Sequence, residues 1–393
     1  MPAAAGDGRV RSIAAVVAGA SIVGLVLSLT LPLLAIRMEE AGASATFIGA
    51  NSAMPALAIL LVTPFLPRLL GRFGTAPVLM WCLLLTAGTL ALFHPIGNLW
   101  WWFPLRFLNG IGLVSIFVIS ESWIQAVATR ATRGRLVALY TTCFSIGWAG
   151  GPAVLATLGT QGAAPFAAGV VLILAAAGVI AWGRDVAPRL GGRSPRAAWS
   201  FLAERPAVFG AIICFSAIEA GIFTLLPVYG LRVGLAEGQA ALTLTAVGLG
   251  SAALQYPIGM LSDRIGRHPV LVLCALTGVA GAVSLPAFAG NPPLLYASMF
   301  LWAGVVAGLY TTAMAALGDT YEGADLVAAT ATFTVMYGIG ALAGPPVAGL
   351  SMDALDPHGL AVMLGAVCAV YAVLAGVRGM RSRRLTSGAG EGM

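Results

Sequence analysis

Three ionisable side chains, Arg106, Glu121 and Glu219, stand in stretches whose neighbours are almost all apolar. A charged group inside such a span costs roughly 2.5–3.5 kcal/mol on insertion scales, so each needs a partner, water or a task. Glu219 lies about 12 residues into its span, about 18 Å from the span's start and near the middle of a bilayer core about 30 Å thick. Arg106 lies about 6 residues from the opposite end of its own span, which places it about 21 Å from the same face. A carboxylate and a guanidinium in one layer allow two kinds of chemistry. Glu219 can take up and release a proton as its surroundings change, or the two groups can form a static pair, with a permanently protonated Glu219 holding helices together as a variant of the static reading. Glu121 lies some two turns from the other end of Arg106's span, where a gate role suits it, with Arg68, Arg72 or Arg135 as partners. Asp319 is placed likewise for Arg264 or Arg267, and ordinary interfacial solvation is the alternative for both acids.

Other chemistries find no footing. There is no HExxH, no GxSxG and no paired-carboxylate set, so an enzyme is not expected. All 21 basic residues are Arg, and without lysine there is no phosphate-binding Gly-x-x-x-x-Gly-Lys loop and no direct drive by ATP. Cys82, Cys143, Cys214, Cys274 and Cys368 fall inside apolar runs without metal spacing, and His94, His268 and His358 are far apart. No metal or cofactor is expected.

The elements that must position these groups follow from composition. The 393 residues are 59% apolar and 9% charged, with a mean hydropathy of +0.93. A water-facing domain carries roughly 25% charge, so most of this surface must face lipid. Apolar runs over 13–36, 46–67, 75–97, 100–128, 136–158, 164–183, 207–231, 238–262, 269–289, 294–318, 326–351 and 358–377 predict twelve transmembrane helices. They lack the alternation of barrel strands. With the N-terminus inside, 18 Arg fall on cytoplasmic segments, Arg37 and Arg232 fall outside, and Arg106 is buried in a span. That predicts a multi-pass protein of the cytoplasmic (inner) membrane with both termini cytoplasmic. The net charge of +6 punctuates apolar spans and does not form one exposed face, which argues against nucleic acid.

The basic segment 184–206 divides the chain into an N-terminal six-helix bundle (1–183) and a C-terminal one (207–393) with a short basic tail. A short interface helix is expected to begin at Ser194-Pro195, with Trp199, Phe201 and Leu202 on one side. The halves read as copies at an offset of 195 residues over their first two spans, pairing Pro32 with Pro227, Arg37 with Arg232, Gly71 with Gly266 and Arg72 with Arg267. Gly110 then answers Gly304, and Gly147 and Pro152 answer Gly340 and Pro345. Parallel pseudo-symmetric bundles follow from such a repeat.

The loop Gly259-Met-Leu-Ser-Asp263-Arg264-Ile-Gly266-Arg267 resembles the signature loop of the major facilitator superfamily. Its first-half counterpart on the 195 offset, ending Gly71-Arg72, has Arg68 where the acid would be. Arg106-Phe-Leu-Asn109-Gly110-Ile-Gly112 resembles a second motif of that superfamily. Gly147, Gly151 and Pro152, echoed by Gly340, Gly344 and Pro345, partly resemble its glycine-proline packing motif. Glu121-Ser-Trp, Leu226-Pro-Val-Tyr229, Gln255-Tyr-Pro-Ile-Gly259 and Tyr337-Gly-Ile-Gly340 are similar to its YcaD-like branch. The resemblance implies the major facilitator fold, a cavity lined by spans one, four, seven and ten, and secondary transport by alternating access. It places Arg106, Asn109, Glu219 and Tyr310 on the solute or proton pathway and the charged loop residues at a cytoplasmic gate. The expected function is transport of a small solute, proton-coupled, by a monomer in lipid, with efflux favoured over nutrient uptake and a non-transporting sensor as the other class.

Overall fold

The structure, a computed structural model, describes residues 2–127, 133–188, 200–321 and 323–388. Hydrocarbon offers no hydrogen bonds to a backbone, so a spanning chain must bond itself. Accordingly, helix is the regular structure found among the described residues.

Among the described residues twelve long helices follow one another: α1 (Pro2–Glu40), α2 (Ala45–Phe73), α3 (Thr75–Phe93), α4 (Trp102–Val127), α5 (Arg133–Leu158), α6 (Ala164–Gly183), α7 (Pro206–Arg232), α8 (Glu237–Ile265), α9 (Arg267–Phe288), α10 (Pro292–Gly318), α11 (Gly323–Ala354) and α12 (Gly359–Gly388). Eleven contain a stretch long and apolar enough to cross a membrane, and α5 contributes the shorter apolar stretch Thr142–Leu158. α2 is interrupted at Ala53 and at the 3₁₀ turn Thr63–Phe65, where Pro55 and Pro64 cannot complete the helical ladder. A short helix, Ser200–Glu204, precedes α7. The expected start of an interface helix at Ser194-Pro195, and Trp199, lie outside the described residues.

By contacts the chain forms two compact units. The first takes Met1–Ala43, Ala50–Ser194 and Glu237–Thr245, and the second takes Ser44–Gly49, Pro195–Ala236 and Ala246–Met393. The opening turn of α2 therefore packs with the second unit, and the opening turns of α8 with the first. Within the first unit α1 packs on α4, α5 and α6, and α3 on α4 and α6. Within the second, α7 packs on α10, α11 and α12, and α9 on α10 and α12.

Lipid is as apolar as leucine, so helix pairing in a membrane needs close packing, and small residues supply it. A Cβ on Gly151 of α5 would fall 2.6 Å from the Leu25 carbonyl oxygen and 2.5 Å from the Leu29 nitrogen of α1. One on Gly344 of α11 would fall 2.7 Å from the Ala217 Cα of α7. Gly147 and Gly340 sit one turn earlier against Ser21 and Ile213. Pro152 and Pro345 follow inside the same helices.

These contacts correct the register of the repeat. Gly147 meets Ser21 and Gly340 meets Ile213, while Gly151 meets Leu25 and Gly344 meets Ala217. The turns agree: Gly42 and Gly234 both have positive φ, as do Gly74 and Gly266, at 86° and 92°. The structural offset is thus 192 residues for the first three helices of each half, 193 for α5 against α11, and 194 for α4 against α10, where Gly110 answers Gly304. An offset of 195 slips the early helices by three residues, close to one turn of 3.6. A mostly apolar helix tolerates that slip without a visible break in its pattern. Gly71 consequently corresponds to Asp263, and Gly74 to Gly266.

Replacing Gly344 by Val should force α7 and α11 apart, at a cost of about 1–3 kcal/mol or more. Gly178, with open space around its Cβ position, should accept Ala without loss. Fluorescence-detected size exclusion after graded heating, run on both variants, checks the contrast.

Candidate functional site

In the second unit, the Tyr337 hydroxyl of α11 donates to Glu219 Oε2 of α7 at 2.6 Å. Both side chains are half-buried. One turn before them, Phe215 and Phe333 flank Tyr310 of α10, with ring centroids 5.5 and 5.6 Å away. The carboxyl group therefore borders an aromatic wall contributed by three helices. A phenol both donates and accepts. The Glu219–Tyr337 bond can thus persist with its direction reversed when Glu219 is protonated.

The corrected register shows how unusual this pair is. Its counterparts in the first half are Leu27 on α1 and Phe144 on α5, also half-buried. One copy carries an acid and a phenol where the other carries two hydrocarbons.

In the first unit, Arg106 of α4 is 2% exposed, and neither its Nε nor its Nη2 has a hydrogen-bond partner among the described residues. Asn109, one turn along, donates to Thr89 Oγ1 of α3 at 3.0 Å, and Thr89 bonds back to its own helix. Its amide thus has a helix-packing partner. Arg106 corresponds to Phe300 of α10, so it too is polar where the other copy is apolar.

At the helix ends on the side where α1 begins, here the near end, Arg267 Nε donates to Asp319 at 2.8 Å and its Nη1 to Asp263 at 2.5 Å and to Ser262 at 3.1 Å. The guanidinium holds the Asp319 carboxyl below its ordinary range. A depressed carboxylate contributes stability above its unfolded pKa and loses it as pH falls through the folded value. Both acids are more than half exposed, so solvent screens most of that effect. Gly266 supplies the left-handed turn between α8 and α9 that brings Asp263 and Arg267 together. Arg264 is exposed and makes no ion pair among the described residues. Arg68 and Arg72 lie over their helix neighbours Phe65 and Phe73 at 6.0 and 5.3 Å. Glu121 is exposed on α4, Gly259 lies in α8 with open space at its Cβ position, and the Arg135 side chain is outside the described residues.

At the opposite, far end, the structure joins residues that the sequence did not bring together. In the second unit Asp353, closing α11, accepts from Ala45 N, Thr46 N and Thr46 Oγ1 at 2.9, 2.8 and 2.6 Å. Arg232 approaches Asp353 to 3.7 Å and bonds Asp356 at 2.7 Å. The carboxylate thus caps the start of α2, whose first amides have no helical acceptor. In the first unit Thr160, the counterpart of Asp353, donates its hydroxyl to Glu237 at the start of α8. Gln161 bonds Glu40 at 2.8 Å and receives Arg37 at 2.6 Å. A hydroxyl–carboxylate bond thus joins helix ends in each unit, with donor and acceptor exchanged. The placement of Arg37 and Arg232 at matching helix ends was the one sequence signal for this region.

The sequence profile described as the Major Facilitator Superfamily matches residues 16–244 and 232–391. An uncharacterised MFS-type transporter, YfkF of Bacillus subtilis (strain 168), is 26% identical over 86% of this chain and 88% of its own length. The uncharacterised MFS-type transporter YcaD of Escherichia fergusonii is 27% identical over 78% of each. Among solved structures, a point mutant of the nucleoside transporter NupG superposes with a TM-score of 0.78 at 13% identity, covering 94% of this chain and 99% of that one. A bacterial homologue of the human lysosomal transporter Spinster, inward-facing and unoccupied, gives 0.73 at 12%, covering 94% and 95%.

Asp353→Ala removes a three-bond cap and the neighbour of Arg232, and should destabilise by about 1–2 kcal/mol. Asp356→Ala, which removes one exposed bond, should cost less than half of that. Thermal melts of the two purified variants, compared with the parent, give the ratio.

Proposed function

This chain belongs to the Major Facilitator Superfamily, with YcaD-like proteins among its relatives, and from that premise we propose that it is a proton-coupled secondary transporter of a small solute. The membership establishes a multi-pass membrane transporter family, and the coupling ion is our inference from Glu219. The observation that carries it is the Glu219–Tyr337 bond at a position where the first copy has Leu27 and Phe144. A duplicated helix pair needs only apolar contact there to pack, as the first copy demonstrates. An acid retained against its insertion cost calls for a task, and a carboxyl group whose hydrogen bond survives protonation suits reversible proton loading. Phe215 and Tyr310, backed by the buried Phe333, offer the adjoining surface for a solute of apolar body.

In this reading the two halves rock about a site near the middle of the membrane. The near end, which holds most of the arginines, faces the cytoplasm, with both termini on the cytoplasmic side of the inner membrane. In this reading Arg267, with Asp263 and Asp319, belongs to the cytoplasmic gate. One chain suffices, because both copies are internal to it. Within this reading export of the solute is favoured over nutrient uptake.

The test begins with a screen for solutes that raise the melting temperature of the purified protein, since a ligand at 100 times its Kd adds about 2.7 kcal/mol. For a hit, transport driven by a pH gradient in proteoliposomes should fall at least about tenfold in Glu219→Gln, with exchange at equal pH retained. Tyr337→Phe should shift the pH profile with a smaller loss. Undiminished gradient-driven transport by Glu219→Gln would end the coupling role.

A further inference from the structure

Arg106 is not alone in holding buried polar atoms without a hydrogen-bond partner among the described residues. Asn51, on α2, is fully buried, and neither its Nδ2 nor its Oδ1 has a hydrogen-bond partner among the described residues. Buried amides and guanidinium groups are nearly always bonded, so two such orphans in one bundle require an explanation. Pro55, four residues on, has no N–H to give the Asn51 carbonyl. The backbone there is freed as well.

The two residues share a level. A Cβ on Gly110 of α4 would lie 2.6 Å from Pro55 Cα and 3.3 Å from Ala58 Cβ of α2, so the helices touch at that point. α2 and α4 are separated in the chain by one long helix and two reversals, and therefore run in the same direction. Asn51 precedes Pro55, and Arg106 precedes Gly110, by four residues in each case. Both lie one turn before the contact, on adjoining helices.

The second copy sharpens the point. Asn51 corresponds to Thr243, whose hydroxyl is satisfied by the Ala240 carbonyl at 2.6 Å, and Arg106 corresponds to Phe300. The same crossing of α8 over α10 is built through Gly250 and Gly304 without orphaned side chains at these positions. Packing therefore does not require Asn51 or Arg106.

We propose that Asn51 and Arg106 form the recognition point for the carboxylate of an organic anion. Arg106 supplies a planar pair of donors matched to two carboxylate oxygens, and the Asn51 amide supplies a further donor. The low dielectric around them makes the charge selective, because an uncharged analogue leaves the guanidinium unpaired. The inference rests on the transporter reading only in making this anion the cargo.

The test uses the purified full chain and two probes of one shape, benzoate and uncharged benzamide. Benzoate should raise the melting temperature in a concentration-dependent way and benzamide should not. Arg106→Gln should weaken the benzoate response at least about tenfold. Equal responses to both probes, or no response to benzoate, would overturn the assignment. A ligand-free arm needs no correct guess of the solute. Asn51→Asp places a carboxylate at the level of Arg106 and should raise the melting temperature by about 3 °C or more while abolishing the benzoate response. The gain should vanish in the Arg106→Gln background. Thr243→Asp, at the matching position beside Phe300, should destabilise. If Asn51→Asp destabilises as much as Thr243→Asp, with or without Arg106, the two residues do not share a site. A failed proton role for Glu219 would leave these melts unchanged, and a failed anion site would leave the Glu219→Gln transport result standing.

Discussion

The absence of water from the hydrocarbon core governs this molecule. Inside it a backbone must bond itself and a polar side chain must find a partner, so the affordable structure is a set of helices whose side chains are nearly all apolar. The sequence meets that demand with 9% charged residues. Packing cannot then come from the hydrophobic effect, because lipid competes equally. It comes from backbone approach, as Gly151 against Leu25 and Gly344 against Ala217 show. With adhesion supplied by glycine, side chains elsewhere on the same helices are free to diverge.

Duplication turns that freedom into an internal control. Each half solves the same packing problem, so a polar residue in one copy opposite an apolar residue in the other is not explained by packing. Glu219 with Tyr337 against Leu27 with Phe144 is one such departure, and Arg106 against Phe300 is another. Asp353 and Thr160 are a third kind, in which each unit keeps a hydroxyl–carboxylate bond between helix ends but the partners' roles are exchanged. What is kept there is the bond, and what is free to vary is which helix carries the charge.

Much of this was legible in the residues. Continuous apolar runs of span length announce transmembrane helices because their period is not in question once every face is apolar. Gly259, Asp263, Gly266 and Arg267 announce a tight charged turn because glycine alone takes the backbone to a φ of 92°. The same uniformity that reveals the spans hides their register. Matching Gly71-Arg72 to Gly266-Arg267 satisfied residue identity and failed by three residues in space, since one helical turn of slip leaves an apolar pattern intact. Asn51 was illegible for another reason: an amide in a span ordinarily bonds a neighbouring helix, as Asn109 does with Thr89, and only the structure distinguishes the bonded amide from the orphan. The Asp353 cap was hidden because it joins residues 307 and 308 positions apart, a separation no local motif spans.

The distribution of charge between the copies has its own logic. A guanidinium and a carboxylate placed in one rigid bundle would pair permanently and cancel, leaving a neutral unit insensitive to protons and solutes. Here the acid lies in one bundle with a phenol as its local partner, and the base lies in the other, its Nε and Nη2 without a hydrogen-bond partner among the described residues. A phenol stabilises either protonation state by reversing its hydrogen bond, so it leaves Glu219 chemically available. A guanidinium cannot be relieved in that way, because it stays protonated in proteins and only donates. An unpartnered buried Arg106 is therefore a demand for an anionic acceptor, whereas Glu219 beside Tyr337 is a site that tolerates two states. Under the proposed reading the first property would serve recognition and the second coupling, and a duplicated fold can hold both without either silencing the other.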